Sequence, residues 1–189
     1  MKKLYISGRN KDAITGGMSF TRNFVKYCDF MEIVDDPKDC DIFFVPSASL
    51  YEKEIIPDKC KLVLRCDNLL RNSRNRNSGM IRMKNLADRA DLIIYQSAWA
   101  RAYLKPILNK DGVVILNGAD DSIFKPEGAK IHSDNKPVYL YVRSSNHENK
   151  MFELAWYYYQ TIQRQEPNAI LWILGKFSKE NLEFNFDFP

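Results

Sequence analysis

Short, nearly uninterrupted apolar runs set the strongest limit on what this chain can fold into. IFFV (42–45), LVL (62–64), LIIY (92–95), VVIL (113–116) and ILWIL (170–174) are each bounded by polar residues. A run of this length suits a strand buried on both faces, which is the situation of a parallel sheet covered by helices. Strands are expected at 3–7, 31–34, 41–45, 61–66, 91–95, 113–116, 138–142 and 169–174. Segments of helical period lie between them. Residues 18–28 place Phe20, Phe24 and Tyr27 on one face, and 78–90 carry Met80, Met83 and Ala87. Residues 98–108 follow Ser97, a favoured N-cap, and 149–165 place Met151, Ala155, Tyr158 and Ile162 on one stripe. Strands alternating with helices imply an α/β fold, a Rossmann-like doubly wound parallel sheet with right-handed crossovers.

The main interruption is KPEGAKIHSDNK, residues 125–136, polar and containing Pro and Gly. It divides the chain into a first domain at 1–126, a linker at 127–136 and a second stretch at 137–189. That second stretch offers strand–helix–strand, an incomplete second Rossmann-like unit that reads as the start of a longer domain. The net charge of +4 is mild, and suits an anionic small ligand or membrane surface without requiring either. The four cysteines form no CxxC pair and have no His at ligand spacing, as expected of reduced thiols in a cytoplasmic protein. No apolar run reaches the ~20 residues of a membrane-spanning helix.

Three groups of residues lie where such a fold builds sites, at the ends of strands leading into helices. Gly16 and Gly17 precede the first helix, where glycine allows close backbone approach and a helix N-terminus offers free N–H groups. The equal alternative is a flexible loop with a glycine hinge. Arg65 and Asp67 end the fourth strand and are followed by Arg71, Arg74 and Arg76. No aromatics interleave these arginines, which argues against nucleic acid as a partner. The three later arginines also suit a solvated loop. YVRSSNHENK, residues 141–150, follows the first strand after the linker. There Arg143 and Lys150 could neutralise a pyrophosphate, with Ser144, Ser145 and Asn146 as neutral donors. The two histidines, His132 and His147, are too few for a His-built metal centre. Asp120 and Asp121 sit in a turn, where Asp is favoured for local hydrogen bonding.

Read in order, these segments resemble the retaining glycosyltransferases of family 4, of GT-B fold. LNGADDSIFKP, residues 116–126, is similar to the motif that closes that family's first domain. Its Asn117-Gly118 supplies turn chemistry, and Phe124 is expected to pin the turn onto a core. LRCDN (64–68) is similar to an Arg-Leu-Asp-Gly segment with Asn68 in place of Gly. DLIIYQSAWARAYL (91–104) resembles a strand-to-helix step of the family. VRSSNHENK resembles its phosphate-binding loop, with Met151 where Gly usually follows the Lys, and Gly175 matches a glycine after the next strand.

The resemblance implies transfer of a sugar from a nucleotide-diphosphate donor to a sugar, lipid-linked or protein acceptor, with retention and no required metal or cofactor. It implies catalytic roles for Asp67, Arg143 and Lys150. It implies donor or phosphate contacts for Gly16, Gly17, Arg65, Ser144, Ser145, Asn146 and Gly175. The family's two late glutamates and C-terminal helix have no counterpart in these 189 residues. A second expectation is therefore a non-catalytic nucleotide- or sugar-binding module completed by a partner chain. A third, a flavodoxin-like regulatory domain, lacks the acidic pocket expected after its first strand, and strand order bears on it. The expected location is the cytoplasm, with peripheral membrane contact as an option.

Overall fold

The computed structural model describes residues 1–12, 15–67, 76–128, 136–142 and 151–174. The chain forms two compact units, Met1–Lys125 and Pro126–Pro189. In the first, strands β1 (Lys3–Ile6), β2 (Glu32–Ile33), β3 (Ile42–Val45), β4 (Lys61–Cys66), β5 (Leu92–Tyr95) and β6 (Val113–Val114) make one six-stranded sheet. Every pairing is parallel, in the order β2-β1-β3-β4-β5-β6. The order reverses between β1 and β3, which makes this the topological switch point of the sheet. This order matches flavodoxin-like sheets over five strands, so order alone does not set a regulatory domain aside. The side chains at the strand ends carry that distinction.

Helices α1 (Gly16–Tyr27), α2 (Arg76–Arg89) and α3 (Ala98–Leu108) flank the sheet. Alternation along each strand decides what faces what. Leu4, Ile6 and Phe44 pack with Phe20 and Phe24 of α1. On the other face Phe43, Val45, Leu62, Leu64, Ile93 and Tyr95 pack with Met83 and Ala87 of α2 and Leu104 and Leu108 of α3. Ser97 caps α3 as expected, accepting from the Ala100 N–H at 3.0 Å. Asn109 ends that helix in the left-handed region, which Asn tolerates better than most residues. Cys40, Cys60 and Cys66 are buried free thiols, and Cys28 is partly exposed. Burial pushes the Cys66 thiol up to about 12.

Three expectations fail in this unit. The run at 113–116 is a strand only over Val113–Val114, and its four residues are 38–72% exposed. β6 is an edge strand paired on one side only, and the α1-side apolar cluster is built around β1 and β3. Phe124 does not pin the turn, being 72% exposed. Asp120 anchors it instead. Its carboxylate accepts from the Lys26 ammonium at 2.8 Å, the Tyr27 hydroxyl at 2.7 Å and the Ser122 N–H at 3.0 Å, and its side chain is buried. Finally, Gly16 and Gly17 do not precede α1 but form its first residues, because Thr15 is the N-cap and accepts from the Met18 N–H at 3.2 Å.

The bonds from Lys26, Ser122 and Tyr27 hold the Asp120 carboxyl well below the usual carboxylate range. A depressed carboxyl stabilises the fold fully above its unfolded pKa of about 4, and that contribution is lost as pH falls through the folded value. Asp120→Ala is expected to lower the melting temperature by several degrees at pH 7. The gap should narrow steadily below about pH 4, which thermal denaturation across pH measures directly. A gap that does not change with pH would contradict the anchor.

The second unit contains β7 (Val138–Val142), α4 (Phe152–Gln165) and β8 (Ile170–Leu174), with β7 and β8 parallel. The stripe of α4 that packs overlaps the expected one: Ala155 and Ile162 are partly buried, but Met151 is exposed. Tyr158 is 65% exposed, whereas Phe152 and Tyr159 are buried. Phe152 meets Tyr141 edge-on at 5.2 Å, and the Tyr159 hydroxyl donates to the Ala169 carbonyl at 2.9 Å. These two residues are seven apart, two helical turns, and so share a face. Leu140, Val142 and Leu174 are exposed. Among the described residues no helix is long and apolar enough to cross a membrane.

Candidate functional site

The C-terminal ends of β1, β3, β4 and β5 bring a polar group together. Ser7, just past β1, is fully buried, and its hydroxyl donates to Glu54 Oε1 at 2.7 Å. Gly8 follows at φ +67°, the left-handed region that favours glycine. A Cβ there would sit 2.4 Å from the Leu50 carbonyl oxygen, so close approach also requires glycine. Ser47 follows β3, buried, with its hydroxyl 2.7 Å from that of Ser49.

Arg65 is the centre of the group. It lies on the α1 side of β4, beside Ile94, because strand alternation directs it away from the core that holds Leu64 and Cys66. It is 4% exposed, and its guanidinium carbon lies 3.9 Å from the centre of the Phe20 ring. Nη1 donates to the Pro46 carbonyl at 3.0 Å. Nη2 donates to Asn117 Oδ1 at 2.7 Å and, more weakly, to Gln96 Oε1 at 3.4 Å. Gln96 in turn donates to the Asp67 carbonyl at 2.7 Å, and Asn117 to Gln96 Oε1 at 3.3 Å. A planar fork of donors is the chemical reason that Arg serves here, since an ammonium could not span these directions.

Asp67 sits one residue past β4, its Oδ2 3.8 Å from Arg65 Nη1. Its other oxygen, Oδ1, is buried and has no hydrogen-bond partner among the described residues. Burial raises the Asp67 carboxyl above its ordinary value, and the Ser47 hydroxyl and the Arg65 charge oppose that rise. Burial likewise pulls Arg65 down, opposed chiefly by Asp67. Gly17 faces this carboxylate: a Cβ on it would come within 3.4 Å of Asp67 Oδ2 and of Ser47 Cβ, and 3.2 Å of Leu50 Cδ1. Gly16 has open space around it.

The structure thus brings Gly17, Arg65 and Asp67 into one place. Arg143, Ser144, Ser145, Asn146, Lys150 and Gly175 lie outside the described residues, as do Arg71, Arg74, His132 and His147. Met151, where the resembled family usually carries Gly, is described and has φ +57°. A non-glycine residue there costs about 1–2 kcal/mol in backbone strain, so this position favours glycine. Sequence reading missed Ser7, Ser47 and Gln96, and took Asn117 only as a turn former and Phe20 only as core. The signal available for Ser47 and Gln96 was position, each lying within two residues of a strand C-terminus. Among the described residues no three His, Cys, Asp or Glu side chains converge as a metal site would require.

Chemically, the group offers a buried carboxylate with an acceptor unused among the described residues and a glycine packed close beside it. It also holds an arginine already committed to the protein. A scan against protein-family models finds no match to this chain, and a search of curated proteins finds none either.

Proposed function

We propose that the chain acts in sugar transfer from a nucleotide-diphosphate donor, as the acceptor side and first donor-side segment of a retaining glycosyltransferase of GT-B type. The single observation that carries the reading is the set Gly17, Arg65 and Asp67 at the strand ends beside the switch point, together with Asn117 of the turn motif that resembles family 4. In a doubly wound sheet this is where ligands bind. In this reading Asp67 meets the acceptor in the first unit. Arg143 and Lys150 neutralise the departing nucleoside diphosphate, with Ser144, Ser145, Asn146 and Gly175 lining its phosphates. Fixed positive charge aimed at a leaving diphosphate lowers the barrier electrostatically. The reaction needs no resident cofactor or metal, and it takes place in the cytoplasm, with peripheral membrane contact where the acceptor is lipid-linked.

A second reading is a non-catalytic nucleotide- or sugar-binding module that pairs with another chain. The exposed Leu140, Val142 and Leu174 of the two-stranded β7–β8 sheet favour it, because parallel sheets are ordinarily covered on both faces. Release of nucleoside diphosphate from UDP-, GDP- and ADP-sugars, with and without acceptor saccharides, separates the two. Acceptor-dependent release from at least one donor, reduced tenfold or more by Arg143→Ala, is the expected result. Donor binding without release would favour the module.

A further inference from the structure

We propose that the strand-end site of the first unit takes an uncharged, hydroxyl-bearing ligand, one hydroxyl of which donates to the Asp67 carboxylate, and that it rejects phosphate-bearing ligands. The inference rests on the acceptor-side reading above and narrows the acceptor to a neutral carbohydrate or polyol group at this site.

Arg65 is the residue of this site that the sequence assigns to phosphate. Both of its terminal nitrogens are occupied, by Pro46, Asn117 and Gln96, and Phe20 covers one face of the guanidinium. At 4% exposure it presents almost no surface to an incoming anion. Binding phosphate through Nη1 or Nη2 would mean breaking their bonds to internal acceptors, the Pro46 carbonyl and Asn117 Oδ1 first among them.

Asp67 presents the opposite situation. It is an acceptor-only group when ionised, with one oxygen lacking any partner among the described residues. A second anion beside it would be repelled, whereas a hydroxyl supplies the missing donor. Gly17 lies beside the carboxylate and leaves it without a neighbouring side chain on that residue: an added Cβ would stand only 3.4 Å from Asp67 Oδ2 and 3.2 Å from Leu50 Cδ1. Burial raises the carboxyl, which a bound hydroxyl donor counteracts by favouring the ionised form.

The test is a ¹⁵N-amide NMR titration of the full chain. The probes are a panel of neutral mono- and disaccharides and myo-inositol, alongside glucose 6-phosphate and inorganic phosphate. The expected result is that at least one neutral compound shifts the amides of Gly17, Ser47 and Asp67. Asp67→Asn should weaken that compound tenfold or more. The second variant, Gly17→Ala, keeps the carboxylate, places its Cβ against the flexible end of Leu50, and should also weaken binding. Three results would overturn the inference: tighter binding of the phosphorylated compounds at these amides, unchanged affinity in both variants, or no shift at these amides with any neutral compound at millimolar concentration. Donor binding through Arg143 and Lys150 is read separately with nucleotide sugars. Its failure with the neutral-ligand shifts intact would remove the donor reading alone, and the converse would remove only this inference.

Discussion

Arg65→Met is expected to destabilise the first unit by about 3–5 kcal/mol, because buried acceptors that lose a charged donor cost about 1–3 kcal/mol each. The loss has named parts. The Asp67 carboxylate, 3.8 Å away, would remain buried without its counter-charge. The Pro46 carbonyl and the Asn117 and Gln96 side-chain oxygens would lose a charged donor, and Phe20 would lose the cation stacked on it. Arg65→Lys should recover only part of this, because one ammonium cannot reach both the β3 end and Asn117 at once. Adding Asp67→Asn to the Arg65→Met variant should restore stability by more than Asp67→Asn gives alone, with a coupling of about 1–3 kcal/mol. Chemical denaturation of the four proteins in the cycle measures it. Additive effects would mean that the two side chains are independent.

Asp67→Asn in the otherwise native chain should stabilise the protein while removing binding at the strand ends. The carboxylate is held above its ordinary pKa chiefly by burial, so its ionised form is less favourable folded than unfolded. For an acid the sign is definite: a raised folded pKa means that the cost is fully present at neutral pH. It disappears as pH falls through the folded value toward the unfolded value of about 4. The amide removes that cost, so the variant is expected to melt at a higher temperature at pH 7. The advantage of the variant should close on acidification. The groups set against the carboxylate are Arg65, Ser47 and Cys66. None of the three changes charge between pH 4 and 7, so the closing traces Asp67 itself. A variant more stable yet unable to bind is the behaviour of a group kept for function at the expense of the fold.

The sheet was legible in the sequence wherever burial on both faces left a continuous apolar run, as in IFFV and LIIY. It was misread where the same residue types lie at an edge. VVIL resembles the other runs in composition, but β6 has a neighbour on one side only, and its residues remain exposed. Met151 and Tyr158 were placed on the α4 stripe in error, each one position from a buried residue, because FELAWYYYQ carries apolar or aromatic residues around most of the helix. Which tyrosine turns inward is decided by tertiary partners, here Tyr141 meeting Phe152 and the Ala169 carbonyl receiving Tyr159. At the site, Arg65 and Asp67 were legible as charged residues at the end of an apolar strand. The direction of Arg65's donors was not, because Asn117 and Gln96 lie 52 and 31 residues away along the chain. That partnership follows from parallel pairing of β4, β5 and β6, and it gives Arg65 the task of holding the protein's own strand ends.

The central claim is that this chain recognises a nucleotide-diphosphate sugar, and calorimetric titration with UDP-, GDP- and ADP-sugars tests it most directly. Saturable binding of at least one of them, abolished in both Arg143→Ala and Lys150→Ala and retained in Asp67→Asn, is the predicted result. Absence of binding to all three, or binding indifferent to Arg143 and Lys150, would contradict it.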